Sequence, residues 1–355
     1  MDFKINPINA ELVAAAKERQ KSLAKPFGSL GMLESFSARI AGITGELYPR
    51  MGGKAIVVFS SDNGVWDEGV TPIGKDVTSL QSTNMTFGRS GIGVLAAHAN
   101  AKLYVVDVGI QEKYESRYII RRKIRPSTWN IAKGPAMTRE ECERAMAVGY
   151  EMAQRCKTEG MTLVGAGEMG VGNTTTSSTV ISALTGIAPE AITGKGAGLS
   201  SEAYANKINV IKRALQINKP DKNDPIDVIS KVGGFDIAAM VGFYLRSASL
   251  NMCVVVDGFI AMAAALCAAR LEPLVADYLF LSHRSAEPGY DVIANELGQK
   301  PMFDLGMRLG EGTGCPFAFN VLEASMRVLR DMATFSQISI DDSVVANNWE
   351  EEENG

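Results

Sequence analysis

Six short runs of apolar and β-branched residues constrain this chain most: 55–60, 103–108, 161–165, 252–256, 278–281 and 303–309. The first five do not alternate between apolar and polar positions, as a half-solvated strand would, and the runs are expected to be covered on both faces. The last, 303–309, also fits a helical pattern. Helical periodicity separates most of the runs. Thr138 and Glu141 form a capping box ahead of an amphipathic stretch from Cys142 to Lys157. Strands alternating with helices specify a doubly wound α/β sheet.

The residues that follow the runs share a chemistry. Ser61-Asp62-Asn63-Gly64, Asp107 with Gly109, Gly167-Glu168, Asp257-Gly258, His283-Arg284-Ser285 and Gly310-Glu311-Gly312-Thr313-Gly314 are all polar or glycine-rich. Open α/β sheets bind ligands at the carboxyl ends of their strands, so these loops are expected to line one cleft.

The richest of them is Gly165-Ala166-Gly167-Glu168-Met169-Gly170-Val171-Gly172-Asn173-Thr174-Thr175. It follows an apolar run, and a Thr/Ser-rich stretch then leads into a helical pattern at 180–184. A glycine loop running into a helix N-terminus is an anion cradle, because the first N–H groups of a helix have no partner within it. With Glu168 inside that loop, the expected chemistry is that of a phosphorylated small molecule. The spacing Gly165, Gly167, Gly170 also satisfies the dinucleotide fingerprint of an NAD-dependent oxidoreductase. The context opposes that reading, since the polar loop continues to Ser178 and residues 185–189 break the chain where a second strand is required. No Gly-Lys-Ser/Thr follows the glycines, which removes a P-loop.

Other signals leave alternatives open. Lys195 and Lys207 flank the glycines Gly194, Gly196 and Gly198; solvated lysines on a turn and a second phosphate contact explain them equally well. Glu311, crowded by Gly310 and Gly312, reads as a site or as a surface turn, and Arg308 as an anion contact or the partner of a nearby acid. Asp107 and Asp257 read equally as turn caps. His283 reads as a satisfied polar residue rather than a catalyst.

The chain has 355 residues, 46% of them hydrophobic, with a formal net charge of −4. That length accommodates one large α/β domain with a smaller appendage, and the mild acidity opposes nucleic-acid binding. Two histidines are too few for a His-rich metal centre, and no metal or other cofactor is expected. Five scattered cysteines suit reduced thiols, and neither a secretory leader nor a membrane span is evident, so the expected compartment is the cytoplasm. Helical patterns at 10–23, behind Asn9, and at 33–43 differ from the body of the chain, and 321–335 is helical again. The expected division is a helical subdomain from 1–45 with 318–345, an α/β domain over 46–317, and a flexible acidic tail at 346–355.

Five stretches, in order and over nearly the whole chain, carry a resemblance to a known family. They are Lys25-Pro26-Phe27-Gly28-Ser29-Leu30-Gly31-Met32-Leu33-Glu34; Asp62-Asn63-Gly64-Val65 with Gly69-Val70-Thr71; the loop from Gly167 to Thr175; Ser282-His283-Arg284-Ser285-Ala286-Glu287; and the segment from Asp304 to Gly314. Together they resemble the nicotinate-nucleotide:dimethylbenzimidazole phosphoribosyltransferases, which activate the lower ligand of cobamides. The resemblance implies an α/β fold with a Rossmann-like, mostly parallel six-stranded sheet and flanking helices, plus a small helical subdomain from both chain ends. It implies a dimer, either of one chain or with a related subunit. The implied reaction moves phosphoribose from nicotinate mononucleotide to an aromatic base, inverts the anomeric carbon and releases nicotinate.

The family's general base falls on Glu311 and its second acid on Glu168. Its donor and phosphate contacts fall on Gly170, Asn173, Thr174, Gly196, Gly198, Lys207, Ser285 and Arg308, and its base pocket on Thr71, Leu80 and Leu309. This chain departs from the family at three places: Asn63 replaces a histidine, Leu80 aligns with a pocket glutamine, and Gly88-Arg89 replaces Gly-Gly. A leucine in place of an amide removes a hydrogen-bond partner for a nitrogenous base. The chain thereby resembles the branch that activates phenol or p-cresol as a heterodimer, of which it would be the catalytic subunit. A non-catalytic paralogue of such a subunit is the alternative; the retained Glu168 and Glu311 weigh against it.

Overall fold

The computed structural model describes residues 4–195 and 198–339. The chain divides into two compact units, one built mainly from Gly53–Ala318 and the other from Asn6–Gly52 with the chain from Phe319 onward.

The larger unit is built on six strands: β1 (Gly53–Ser61), β2 (Lys102–Gly109), β3 (Ile120–Arg121), β4 (Met161–Met169), β5 (Cys253–Val256) and β6 (Leu279–Leu281). Every pairing is parallel and the order is β3-β2-β1-β4-β5-β6. The chain therefore starts at the centre, winds out to β3, returns to β4 and winds out the other way. The reversal lies between β1 and β4, where such sheets open a crevice at the carboxyl ends of their strands. Residues 55–61 of β1 and all of β5 and β6 are buried, which is why these runs carry no polar alternation.

Two strand expectations need correction. Residues 303–309 do not form a strand; apart from one bridge between Phe303 and His283 they are irregular. Asp304 Oδ1 accepts the Gly306 N–H at 3.1 Å, and Gly306 sits at φ 64°, a turn that ends any extended run. The sixth strand is instead the two-residue β3, too short and too basic in its surroundings to show a period. Strand β4 also runs four residues beyond its expected end, taking Gly167 and Glu168 into the sheet.

Helix Phe235–Ser249 packs on β1, β2, β4 and β5 and on helix Arg139–Thr158. The second contact is close: a Cβ on Gly149 would lie 1.8 Å from the Ala239 carbonyl oxygen. Thr138 and Glu141 form the expected reciprocal capping box on helix Arg139–Thr158.

The smaller unit pairs helices Ala10–Ser22 and Met32–Thr44 and takes in helix Cys315–Asp331 from Phe319. Asn9 caps the first helix through the Leu12 N–H at 3.0 Å. Arg19 fastens the two chain ends by donating to the Leu329 and Met332 carbonyls. The Lys25–Glu34 pair, 2.6 Å apart and nearly buried, closes the loop between the first two helices. The acidic tail expected at 346–355 lies outside the described residues. Among the described residues no helix is long and apolar enough to cross a membrane.

Candidate active site

A cleft of about 580 Å³ opens at the carboxyl end of the sheet. One wall is helix Asn173–Thr185, which begins directly after a three-residue loop, Gly170 to Gly172. The helix thus starts seven residues earlier than its apolar pattern suggested, and the anion cradle is its first turn. Gly172 is the N-cap, at φ 90°, and no side chain caps this end. Lys207, on helix Ser201–Asn218, is 1% exposed and donates from Nζ to Thr174 Oγ1 at 3.0 Å. Burial lowers its pKa to about 8. A cation held dry beside an uncapped helix start is a setting that favours an anion. Gly170, Asn173, Gly198, Lys195, Ser285 and Arg308 line the same cleft. Arg308 is exposed and makes no hydrogen bond or ion pair with the described residues. Gly196 lies outside the described residues.

The same cleft carries two carboxylates in different settings. Glu311 is a non-glycine residue at φ 62° and is 4% exposed. Its Oε1 accepts from Gln81 Nε2 at 2.7 Å and its Oε2 from the Ile92 N–H at 3.1 Å. A left-handed conformation at a buried glutamate is costly, and it turns this side chain into the cleft. Glu168 lies inside β4, in register with Phe59, and accepts from the Asn173 amide. Burial, reinforced by the nearby Asp236 and Asp257 carboxylates, pushes its pKa up to about 8. Gly310 at φ 85° faces it, and a Cβ there would lie 2.5 Å from Glu168 Oε1.

Asp257, just past β5, explains the shape of the loop that presents Glu311. It accepts the Gly312 N–H at 3.0 Å and the Gly314 N–H at 2.7 Å, so besides meeting the Gly258 N–H of its own turn it organises a loop more than fifty residues away. Burial raises its pKa and the neighbouring His283 opposes that rise. His283 Nδ1 lies 3.1 Å from Ser282 Oγ and 3.7 Å from Asp257, so its polar contacts are made within the protein.

Of the residues expected in the base pocket, Thr71 and Leu309 line the cleft. Leu80 does not. It is 57% exposed on helix Val77–Thr86, and the next residue, Gln81, points into the cleft instead. One step along a helix turns a side chain by about 100°, so this helix presents Gln81 rather than Leu80 to the cleft. The amide is present. Asn63, the departure at the end of β1, donates weakly to the Ser61 and Val171 carbonyls at 3.4 and 3.5 Å and so ties β1 to the Gly170 loop. Sequence reasoning also missed Asp236, buried at the start of an apolar helix where no motif marks it.

The phosphoribosyltransferase family profile matches residues 5–340. This chain belongs to that family. It is 45% identical over 337 residues to the nicotinate-nucleotide–dimethylbenzimidazole phosphoribosyltransferase of Acetivibrio thermocellus, covering 95% of this chain and 96% of that one. The enzyme of the same name from Geobacter sulfurreducens is 46% identical over 338 residues, with coverage of 95% and 96%. Among solved structures, the nicotinate-nucleotide–dimethylbenzimidazole phosphoribosyltransferase of Thermus thermophilus superposes with a TM-score of 0.89 at 38% identity, over 94% of this chain and 99% of that one. The chain is accordingly a pentosyl-transferring enzyme with that protein's fold.

Proposed function

We propose that this chain transfers phosphoribose from nicotinate mononucleotide to a benzimidazole-type base, inverting the anomeric carbon and releasing nicotinate. The observation that carries the reading is the lining of one cleft, which holds Lys207 and the first turn of helix Asn173–Thr185 together with Glu311 pinned by Gln81 and Ile92. The 5′-phosphate anchors the donor at the cationic end, and that remote binding orients the ribose. The acceptor nitrogen's lone pair forms the new bond to C1 as the bond to nicotinate breaks, with the bonding pair returning to the pyridine nitrogen. The proton released from the acceptor's ring N–H passes to Glu311.

Gln81 favours a nitrogenous acceptor over a phenol. Its side-chain amide lines the cleft, where it can meet a ring nitrogen and where a leucine had been expected. A phenol also holds its proton with a pKa of about 10, by analogy with tyrosine, which a carboxylate base matches poorly. The reading is tested by offering nicotinate mononucleotide with equimolar dimethylbenzimidazole and phenol. The α-ribotide of the benzimidazole is the expected product, identified by mass and by the anomeric proton coupling. A phenolic ribotide as the main product would restore the phenol-specific assignment, and no nicotinate release with either acceptor would favour a non-catalytic subunit.

A further inference from the structure

Asn173 holds two carboxylates with one amide nitrogen. Its Nδ2 donates to Glu168 Oε2 and, at 3.4 Å, to Asp236 Oδ2. Asp236 is the second residue of helix Phe235–Ser249, is fully buried and does not line the cleft. Its other oxygen accepts the Ile237 N–H at 3.0 Å. It touches no substrate site, and nothing in the reaction above uses it.

The groups facing this pair are mostly acidic. Asp62, at the end of β1, faces Asp236. Glu168 faces Asp257 from the end of β5, the Tyr244 hydroxyl from helix Phe235–Ser249 and the backbone N–H of Glu311. Among the described residues no lysine or arginine pairs with Glu168, Asp236 or Asp257; His283, 3.7 Å from Asp257, is the neighbouring base.

We propose that Asp236 is a positioning residue that keeps the Glu168 carboxyl in its neutral form, so that Glu168 meets the substrate as a hydrogen-bond donor and leaves Glu311 as the base. Two bare carboxylates on one amide, sealed from water, repel each other with little screening, and retaining one proton relieves that. The proton falls to Glu168, where the Asp236 and Asp257 charges outweigh the hydrogen bonds from Asn173 and the Glu311 N–H, whereas at Asp236 the Ile237 N–H and the Asn173 amide outweigh Asp62. The acidities agree with this division: burial raises Asp236 to about 6, while burial and both acids raise Glu168 to about 8. Between those values Asp236 is charged and Glu168 neutral. Removing the Asp236 charge lowers the pKa of Glu168, so its neutral form is lost at a lower pH.

The catalytic half of the proposal rests on the transferase reading; the protonation half does not. An infrared pH titration of the full chain without substrate separates them. The wild type should show a protonated-carboxyl band at pH 7 that titrates near pH 8. The band should vanish in Glu168→Gln, and its midpoint should fall by on the order of one pH unit in Asp236→Asn. Should Asp236→Asn not fold, Asp236→Ser removes the same charge in a smaller side chain. In turnover, the alkaline limb of kcat should move down by the same amount with the donor KM unchanged. A merely structural role would depress kcat at every pH and leave the limb in place. No such band in the wild type, a band that persists in Glu168→Gln, or an unmoved midpoint without Asp236 would each overturn the proposal. An intact band without nicotinate release would instead count against the transferase reading alone.

Discussion

The two ends of the cleft hold their charges in opposite ways. At the donor end Lys207 is a buried cation that donates to the Thr174 hydroxyl and feels the Glu287 carboxylate, and burial makes its charge costly. At the acceptor end Glu311 already accepts two hydrogen bonds, from Gln81 and from the Ile92 N–H. The first arrangement reserves binding energy for a phosphate. The second fixes the direction of a carboxylate lone pair before any substrate enters. Affinity for the donor and rate of transfer are therefore expected to respond to different residues.

The sharpest way to break this division is Glu311→Gln. Removing the base should lower kcat by roughly a hundred- to ten-thousandfold while donor binding, measured by calorimetry, stays nearly unchanged. Equal losses in both would merge the two ends into one. Lys207→Met should do the converse, raising the donor KM by roughly ten- to a hundredfold with a smaller effect on kcat. Its wild-type pH dependence has a definite sign. Lys207 is charged below about 8 and neutral above it, so the donor KM should rise as pH passes through that value. That rise should be missing from Lys207→Met.

A smaller effect is expected from Gln81→Leu, which frees one oxygen of Glu311 and should cost about tenfold in kcat with dimethylbenzimidazole. The smallest belongs to its neighbour. Leu80→Ala, on the exposed side of the same helix, should leave both kinetic constants alone and change stability by less than ~0.5 kcal/mol. If Leu80→Ala altered acceptor choice and Gln81→Leu did not, the helix would present the other residue to the acceptor.

That pair of neighbours also marks where the sequence stops being legible. The strands were readable because the apolar runs inside β1, β2, β4, β5 and β6 are covered on both faces and so do not alternate with polar positions. A two-residue edge strand such as β3 has no period to read, and residues 303–309 imitate a strand because Leu305, Met307 and Leu309 recur every second position in a loop. Glu168 and Glu311 stood out because glycines crowd them. The structure gives the reason at Gly310, which passes within contact of Glu168. Asp236 had no such marker, since its importance comes entirely from an amide sixty-three residues earlier. Leu80 falls outside the cleft for a rotational reason, because neighbouring positions on a helix face different ways and here Gln81 takes the cleft side.

The central claim is that one cleft holds the donor's phosphate at Lys207 and turns its C1 atom toward Glu311. A crystal structure of this chain with nicotinate mononucleotide tests it most directly. The account predicts the 5′-phosphate on the first turn of helix Asn173–Thr185, within hydrogen-bond reach of Lys207, and the ribose C1 between Glu168 and the Glu311 carboxylate. A nucleotide bound with its phosphate elsewhere, or with Glu311 remote from the ribose, would contradict it.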